Sequence, residues 1–481
     1  MDSTTFYFYD LETSGINARS SRIMQFAGQR TDMQLKPIGL PDDILVALTP
    51  DVLPEPDAIM LTGITPQKTI QEGITEAEFL KHFHSTIALP GTIFVGFNNI
   101  RFDDEFMRFT NYRNFYDAYE WTWKDHRSRW DLLDVVRMTR ALRPDGVEWP
   151  FDSNGKPSNR LGLLTSLNKL EHTDAHNALS DVGATIAVAR LLRNKQEKLF
   201  EYLLKMRDKK AVESLVQKNQ PFVYTSGKYP SLYHKTTVVA SLGQHPGKQG
   251  VLVFDLRRNP TDFMNLSPAD IALQWRERVD DETQRFPIKM LQINRSPAVA
   301  PLSVLDSGSQ ERIHIDMQEV GENFKRLQSY PELYQKLCDA LHILDKKQQA
   351  TLVTDEQEVD TQLYDGFFAD GDKTAMSVVR AADASGIGSL DVPFADERLA
   401  RLFSLYKARN FVQTLTTEER QEWEKFRSIK LLSGGTNSTA QRYFERLHEL
   451  AQRKNLSSND QYLLEELQLY GQSILPLPDD I

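Results

Sequence analysis

The apolar run Phe6-Tyr7-Phe8-Tyr9 leads straight into two acids one residue apart, Asp10 and Glu12. Such a run reads as a β-strand, with the two acids at its end. Side chains two apart on a strand share a face, so both carboxylates would stand together and repel each other. A hard divalent cation between them relieves that repulsion, and Mg²⁺ or Mn²⁺ prefers oxygen ligands of this kind. Asp-x-Glu is a short pattern, and a pair of exposed acids at a strand end is spelled with the same letters. Its meaning depends on two further patterns.

The first of these is Val95-Gly96-Phe97-Asn98-Asn99-Ile100-Arg101-Phe102-Asp103-Asp104. A strand over Thr92–Phe97 ends, a loop turns, and a helix is expected from about Phe102, with an acid at its start. A cap or a partner for the helix dipole would explain such an acid without chemistry. The second is Asp174-Ala175-His176-Asn177-Ala178-Leu179-Ser180-Asp181. Leu179, Val182, Ile186 and Ala189 recur at helical spacing, so Asn177–Leu192 reads as an amphipathic helix. His176 and Asp181 are five apart, roughly 140° around an ideal helix. Both reach one site only if His176 sits on the turn before the helix.

With 481 residues the chain is too long for one ordinary core. Residues 1–193 alternate strand and helix signals, an α/β pattern. Pro221–Tyr224, Thr236–Leu242 and Gly250–Leu256 are short β-rich runs between Gly/Pro turns, and a helix is expected over Pro268–Asp280. Thr354 to Asp360 is acidic and reads as a linker. Beyond it Leu399, Leu402, Phe403 and Tyr406 share one helix face, and Phe444, Leu447, Leu450 and Ala451 another. The expected units are 1–193, 194–353 and 354–481. No run of about 18 apolar residues suggests a membrane span, and no basic, apolar leader precedes the first strand. Cys338 is the only cysteine, which excludes an intrachain disulfide and a thiolate zinc site. A cytoplasmic protein is the expectation. Net charge is −10, against a non-specific coat for nucleic acid but compatible with a local basic groove. Lys124–Arg143 holds six basic residues against three acids, and Arg193–Lys210 seven against three; either run alone also fits a solvated helix face.

Taken together, Asp-Leu-Glu-Thr, Asn-Asn-Ile-Arg-Phe-Asp and His-Asn-Ala-Leu-Ser-Asp resemble the three exonuclease motifs of the DnaQ-like DEDDh 3′→5′ exonucleases. The longer strings Gly-Phe-Asn-Asn-Ile-Arg-Phe-Asp-Asp-Glu, Ser-Arg-Trp-Asp-Leu-Leu-Asp-Val, Tyr-Arg-Asn-Phe-Tyr-Asp (112–117) and Gln-Leu-Tyr-Asp-Gly-Phe-Phe (362–368) are similar to one bacterial branch of that family. The last string extends the resemblance over nearly the whole chain. The resemblance implies an RNase H-like DEDDh exonuclease domain, then an SH3-like β domain, then a C-terminal α-helical domain. It implies two Mg²⁺ ions, with Mn²⁺ as a substitute, held by Asp10, Glu12, Asp103 and Asp181, with His176 taking the proton from the attacking water. The relatives' acidic first-motif helix is replaced by Ser20-Ser21-Arg22-Ile23-Met24-Gln25-Phe26, which bears on local packing.

The implied reaction is removal of 5′-mononucleotides from the 3′ end of single-stranded DNA, in repair and recombination. Tyr119 and Trp123 sit among Arg108, Lys124, Arg127 and Arg137, an interleaving of rings and cations that suits sequence-tolerant strand binding and equally a folded core. The resemblance favours strand contacts for Arg108, Tyr119, Trp123, Arg137 and Arg160, with Glu12 also touching substrate. It also implies docking of the acidic, apolar C-terminal tail of single-stranded DNA-binding protein at Arg143 and Tyr202, and a monomer free of membranes. The nuclease motifs alone leave open an enzyme acting on RNA 3′ ends, since the 2′-OH is read elsewhere. A non-catalytic strand-binding scaffold is the reading of another class, although a scaffold has no need of all five motif residues.

Overall fold

The computed structural model describes residues 4–172, 177–277, 279, 281–351 and 358–476. The first strand, β1 (Thr5–Thr13), outruns the apolar segment, so Asp10 and Glu12 lie within the strand and do not end it. With β2 (Ile23–Thr31), β3 (Asp42–Leu45), β4 (Thr92–Gly96) and β5 (Ser128–Asp131) it forms a sheet of order β3-β2-β1-β4-β5. β2 pairs antiparallel with both β1 and β3, whereas β4 runs parallel to β1 and β5 parallel to β4.

The period of two along β1 divides the core. Tyr7, Tyr9 and Leu11 join Phe26, Phe94, Phe106 and Trp121 on one face. Phe6 and Phe8 join Trp130, Val182 and Ile186 on the other. Val182 and Ile186 belong to the helix Ala178–Lys195, which Asn177 caps by accepting the Ser180 N–H. Asp10 and Glu12 continue the face of Phe6 and Phe8. Asp181 stands in the first turn of the helix covering that face. The third motif thereby meets the first.

A second, wholly antiparallel sheet has the order β10-β6-β7-β8-β9, from β6 (Phe222–Thr225), β7 (Thr236–Gln244), β8 (Val251–Asp255), β9 (Ile288–Leu291) and β10 (Ala298–Pro301). Val223, Val238, Leu252 and Phe254 face the core shared with the nuclease sheet, while Tyr224, Val239, Val251 and Val253 pack on the opposite side. The helix expected over Pro268–Asp280 spans Pro268–Arg276, and Asp280 lies outside the described residues.

Four long helices close the chain: Glu397–Asn410, Thr417–Leu432, Thr439–Ala451 and Ser458–Ile474. Tyr443, Leu447, Leu450 and Leu467 pack against Met24, Ile59 and Ile64 of the nuclease region. Ala451, expected on that face, is exposed; the helix turns its Tyr443–Leu447–Leu450 stripe inward instead. The acidic linker also needs correction at its end. Residues 352–357 lie outside the described residues, but Asp360 is 1 % exposed in a short helical turn and bonds Arg22 and Arg409. Among the described residues no helix is long and apolar enough to cross a membrane.

Candidate active site

Asp10, Glu12 and Asp181 each offer a carboxylate oxygen, and these oxygens lie within 4.8 Å of one another. Asp103 completes the group from the other side. The chain leaves β4 at Asn98, whose backbone takes the left-handed conformation at φ 74°, one that Asn tolerates better than most residues. The Asp131 carboxylate holds this turn by accepting the Asn98 N–H at 2.9 Å. The helix Asp103–Arg113 then starts beneath β1, with Asp103 only 4 % exposed and accepting the Leu11 N–H between Asp10 and Glu12.

Among the described residues, no Lys or Arg pairs with these acids. Burial, then Asp103, Glu12 and Asp181, holds Asp10 far above the ordinary carboxylate range. Glu12 is pushed up to about 8 by burial and by Asp181. Asp103 is raised by burial, Asp104 and Asp131 despite its backbone hydrogen bonds. Burial and Asp134 push Asp131 up to about 7. Repelling carboxylates in a partly dry pocket are stabilised by protonation or by cations. An all-oxygen set fits hard divalent ions and not a softer metal that prefers nitrogen or sulfur.

The adjacent Asp104 is different. It accepts from Tyr9 Oη at 2.5 Å and is paired with Arg129. The second motif therefore divides into a cluster acid, Asp103, and an acid tied to the core, Asp104. His176 lies outside the described residues. His172, absent from the sequence reading, is placed on Asp181: its Nε2 is 2.6 Å from Asp181 Oδ1, and its Nδ1 is 3.0 Å from the buried Thr165 Oγ1. The signal was a second histidine four residues before the first, in Glu171-His172-Thr173-Asp174-Ala175-His176.

The residues expected to grip a strand fall into two groups. Arg108 is 6 % exposed, paired with Glu105 at 2.5 Å, and covered by the half-buried Tyr119 ring at 5.5 Å. Trp123 is 61 % exposed, which removes the alternative that it is core. Arg137 is paired with Asp134 at 2.6 Å, and Arg160 is exposed at the start of the helix Leu161–Leu167. Sequence reasoning did not find Arg295, which reaches Glu105 at 3.2 Å from the loop after β9, or Phe367, 90 % exposed with its ring 6.2 Å from Tyr119. Tyr364 also bonds Glu105. Three distant chain segments thus meet around Glu105 and Arg108. Away from this site, Arg143 donates to Val304 O at 2.9 Å and pairs with Asp306 at 3.2 Å, while Tyr202 is half-buried.

Residues 7–189 match the family model described as Exonuclease, residues 207–342 that of the Exonuclease I SH3-like domain, and residues 357–474 that of the Exonuclease I C-terminal domain. Exodeoxyribonuclease I of Haemophilus influenzae is 37 % identical over 478 residues, 98 % of this chain and 99 % of the relative. The crystal structure of Escherichia coli exonuclease I with a dA16 oligonucleotide superposes with a TM-score of 0.92 at 36 % identity, covering 98 % of this chain and all of that one. A crystal structure of SSB/exonuclease I with the inhibitor CFAM superposes at 0.88 with 35 % identity, covering 98 % and 100 %. The expected series of nuclease, SH3-like and C-terminal helical regions is correct.

Proposed function

The chain belongs to the exodeoxyribonuclease I family, and we propose on that premise that it degrades single-stranded DNA from the 3′ end to 5′-mononucleotides by metal-dependent hydrolysis. The observation that carries the chemistry is the convergence of Asp10, Glu12 and Asp181, with Asp103 beside them and, among the described residues, no Lys or Arg paired with them. Two bound divalent cations, Mg²⁺ or Mn²⁺ in its place, supply a water of lowered pKa and charge stabilisation at the leaving 3′-oxygen. Asp10, Glu12 and Asp181 would hold these ions, with Asp103 as a further ligand beside them. Glu12 also touches the substrate. His176 takes the proton of the attacking water, a role suited to a group that titrates near neutrality. His172 fixes Asp181 from behind, as hydrogen bonds to metal-ligating carboxylates do.

Arg108, Tyr119, Trp123, Arg137 and Arg160 hold the strand through ring stacking and phosphate contacts. Arg143 and Tyr202 receive the acidic C-terminal tail of single-stranded DNA-binding protein, for whose terminal carboxylate an Arg fork is suited. Support for this partner comes from the relative crystallised as SSB/exonuclease I. Residues 1–193, 194–353 and 354–481 form the three units of a monomer that works in the cytoplasm, in DNA repair and recombination.

The test is digestion of 3′-labelled single- and double-stranded DNA and RNA with Mg²⁺, Mn²⁺ or EDTA. Mononucleotide release from single-stranded DNA alone, abolished by EDTA, is expected. Preferential cleavage of RNA would move the enzyme to RNA ends, and metal-independent binding without cleavage would make it a scaffold.

A further inference from the structure

The carboxylates of the cluster are not held with equal firmness. Asp10 and Glu12 lie in β1, paired in register with Ala27 and Gln25 of β2, and Asp181 sits in the helix Ala178–Lys195. Asp103 instead follows a turn, residues 97–102, between the end of β4 and the helix Asp103–Arg113. That helix begins at Phe102 without a side-chain cap. Within the turn the Arg101 N–H donates to Asn98 O at 3.2 Å, and the Phe102 and Asp104 N–H groups donate to Asn99 O at 3.2 and 2.9 Å. The start of the helix therefore hangs on Asn98 and Asn99. Asp103 meets the Leu11 N–H, between Asp10 and Glu12, with those two residues in place.

What fixes Asn98 lies on the next strand. Its backbone is left-handed at φ 74°, a conformation that persists only where surrounding contacts hold it. The contact is Asp131, the last residue of β5, which stands opposite Gly96 in the parallel ladder and is 6 % exposed. One oxygen, Oδ1, accepts the Asn98 N–H at 2.9 Å and the Leu133 N–H at 3.0 Å. The bond from Leu133 is an ordinary cap of the helix Leu132–Leu142. The bond from Asn98 is not needed for capping: it joins the turn after β4 to the turn after β5. One helical turn on, Asp134 reaches Arg101 Nη2 at 3.6 Å, so the same helix touches the same turn twice. The turn is drawn down so far that a Cβ at Gly96 would meet Asn99 Cβ at 2.5 Å. The Asn99 side chain itself adds only a 3.4 Å bond to Tyr9 Oη.

Resting on the metal-dependent hydrolysis put forward above, we propose that Asp131 is a positioning residue for that reaction: through Oδ1 it clamps the Asn98 turn to β5 and so sets where the Asp103 carboxylate stands against Asp10, Glu12 and Asp181. The clamp needs an acceptor oxygen and not a charge. Asn at this position keeps the oxygen at the same reach. Ser, a preferred cap with a shorter side chain, keeps the Leu133 bond and loses the Asn98 bond. Ala loses both.

The experiment titrates Mn²⁺ into the full chain without substrate, followed by electron paramagnetic resonance, and repeats the titration for Asp131→Asn, Asp131→Ser and Asp131→Ala. Strand affinity and the urea midpoint in EDTA, and kcat and KM at varied Mg²⁺, are measured alongside. Asp131→Ser and Asp131→Ala should weaken Mn²⁺ binding and raise the Mg²⁺ concentration for half-maximal rate about 10–100-fold, the loss typical of groups that orient metal ligands. At fixed Mg²⁺ kcat should fall while KM for the strand, and strand affinity in EDTA, stay at wild-type values. Asp131→Asn should return Mn²⁺ binding to near wild type, whereas Asp131→Ser should restore the urea midpoint alone. Mn²⁺ binding as poor in Asp131→Asn as in Asp131→Ser would overturn the clamp, because the charge would then be the working part. Wild-type Mn²⁺ binding in Asp131→Ser would also overturn it and reduce Asp131 to a helix cap. If Asp131→Ala does not fold, the comparison of Asn with Ser carries the test. Wild-type chain that binds Mn²⁺, and whose variants follow this pattern, but that cuts no strand would overturn the nuclease reading and leave the clamp standing.

Discussion

Asp10, Glu12 and Asp103 of the carboxylate cluster, and Asp51, Glu76 and Asp360 at the seam with the C-terminal helices, are the same chemical groups withdrawn from water. In the first set burial and mutual repulsion add, and the carboxyls are raised. In the second, burial alone would also raise them. Instead Arg409, Lys430 and Arg22 outweigh burial at Asp51 and Asp360, and Arg113 and Arg22 do so at Glu76, so all three are held below their ordinary values. Arg409 bonds both Asp51 at 2.8 Å and Asp360 at 2.6 Å, Lys430 reaches Asp51 at 2.9 Å, and Arg113 reaches Glu76 at 2.8 Å. A buried acid with cations of its own chain makes a joint. A buried acid without them makes a place for cations from outside.

The contrast breaks most visibly at Asp10. Asp10→Ala should reduce turnover to background, a loss larger than the ~10–100-fold carried by groups that only orient a metal ligand. Asp10→Asn should at the same time raise stability against urea in EDTA, because a repelling charge has gone. Lower stability in EDTA would show that these acids are compensated after all. Asp360→Asn should do the reverse, leaving turnover per folded molecule intact and costing about 3–5 kcal/mol by stranding Arg409 and Arg22. A urea midpoint equal to wild type would remove the joint.

His172→Ala should weaken metal dependence about 10–100-fold, read as the Mg²⁺ concentration for half-maximal rate, with His172→Gln recovering part of the loss. An unchanged Mg²⁺ titration would show that the hydrogen bond to Asp181 orients nothing. The smallest effect is in the pH dependence of stability. The joint's acids are depressed in the folded state, so their contribution is complete above the unfolded values, about 3.9 to 4.3, and is lost as pH falls through the folded ones. Glu12 is raised to about 8, so without metal its penalty grows as pH climbs from about 4.3 and is complete above 8. Metal-free protein should therefore melt lower at pH 8 than at pH 5, and Mg²⁺ should raise the melting temperature more at pH 8. An equal Mg²⁺ increment at both values would contradict the assignment.

The carboxylate cluster was far more legible in the sequence than the joint. Asp10, Glu12 and Asp181 are reachable from local periodicity, because a strand of period two and a helix of period 3.6 fix which residues share a face. Asp103 and Asp104 could not be told apart along the chain, since the difference lies in Tyr9 and Arg129, brought in by sheet pairing. Asp360 was misread for a stronger version of the same reason. Its partner Arg22 is 338 residues away and Arg409 is 49 away, and an acidic stretch with no local apolar pattern looks like a linker. Arg22 itself appeared only as part of a departure from the relatives' acidic helix, yet it reaches Asp360 at 2.9 Å and Glu76 at 3.9 Å. The joint's own acids, Asp360 and Glu76, account for a buried positive charge at Arg22.

The span of that joint sets a schedule for the chain as it is made. All five strands of the nuclease sheet lie within the first 131 residues, whereas Asp51 meets Arg409 across 358 residues of sequence. At roughly 5–20 residues per second, a nascent chain spends about 14 to 56 s with its sheet encoded and Asp51 still without Arg409. Met24, Ile59, Leu48 and Val52, which residues 431–474 of the last helices will cover, stay exposed for longer still. A ribosome that stops before the final quarter of the message therefore releases a nuclease region with an open, charged and apolar flank, a substrate for chaperones and proteases.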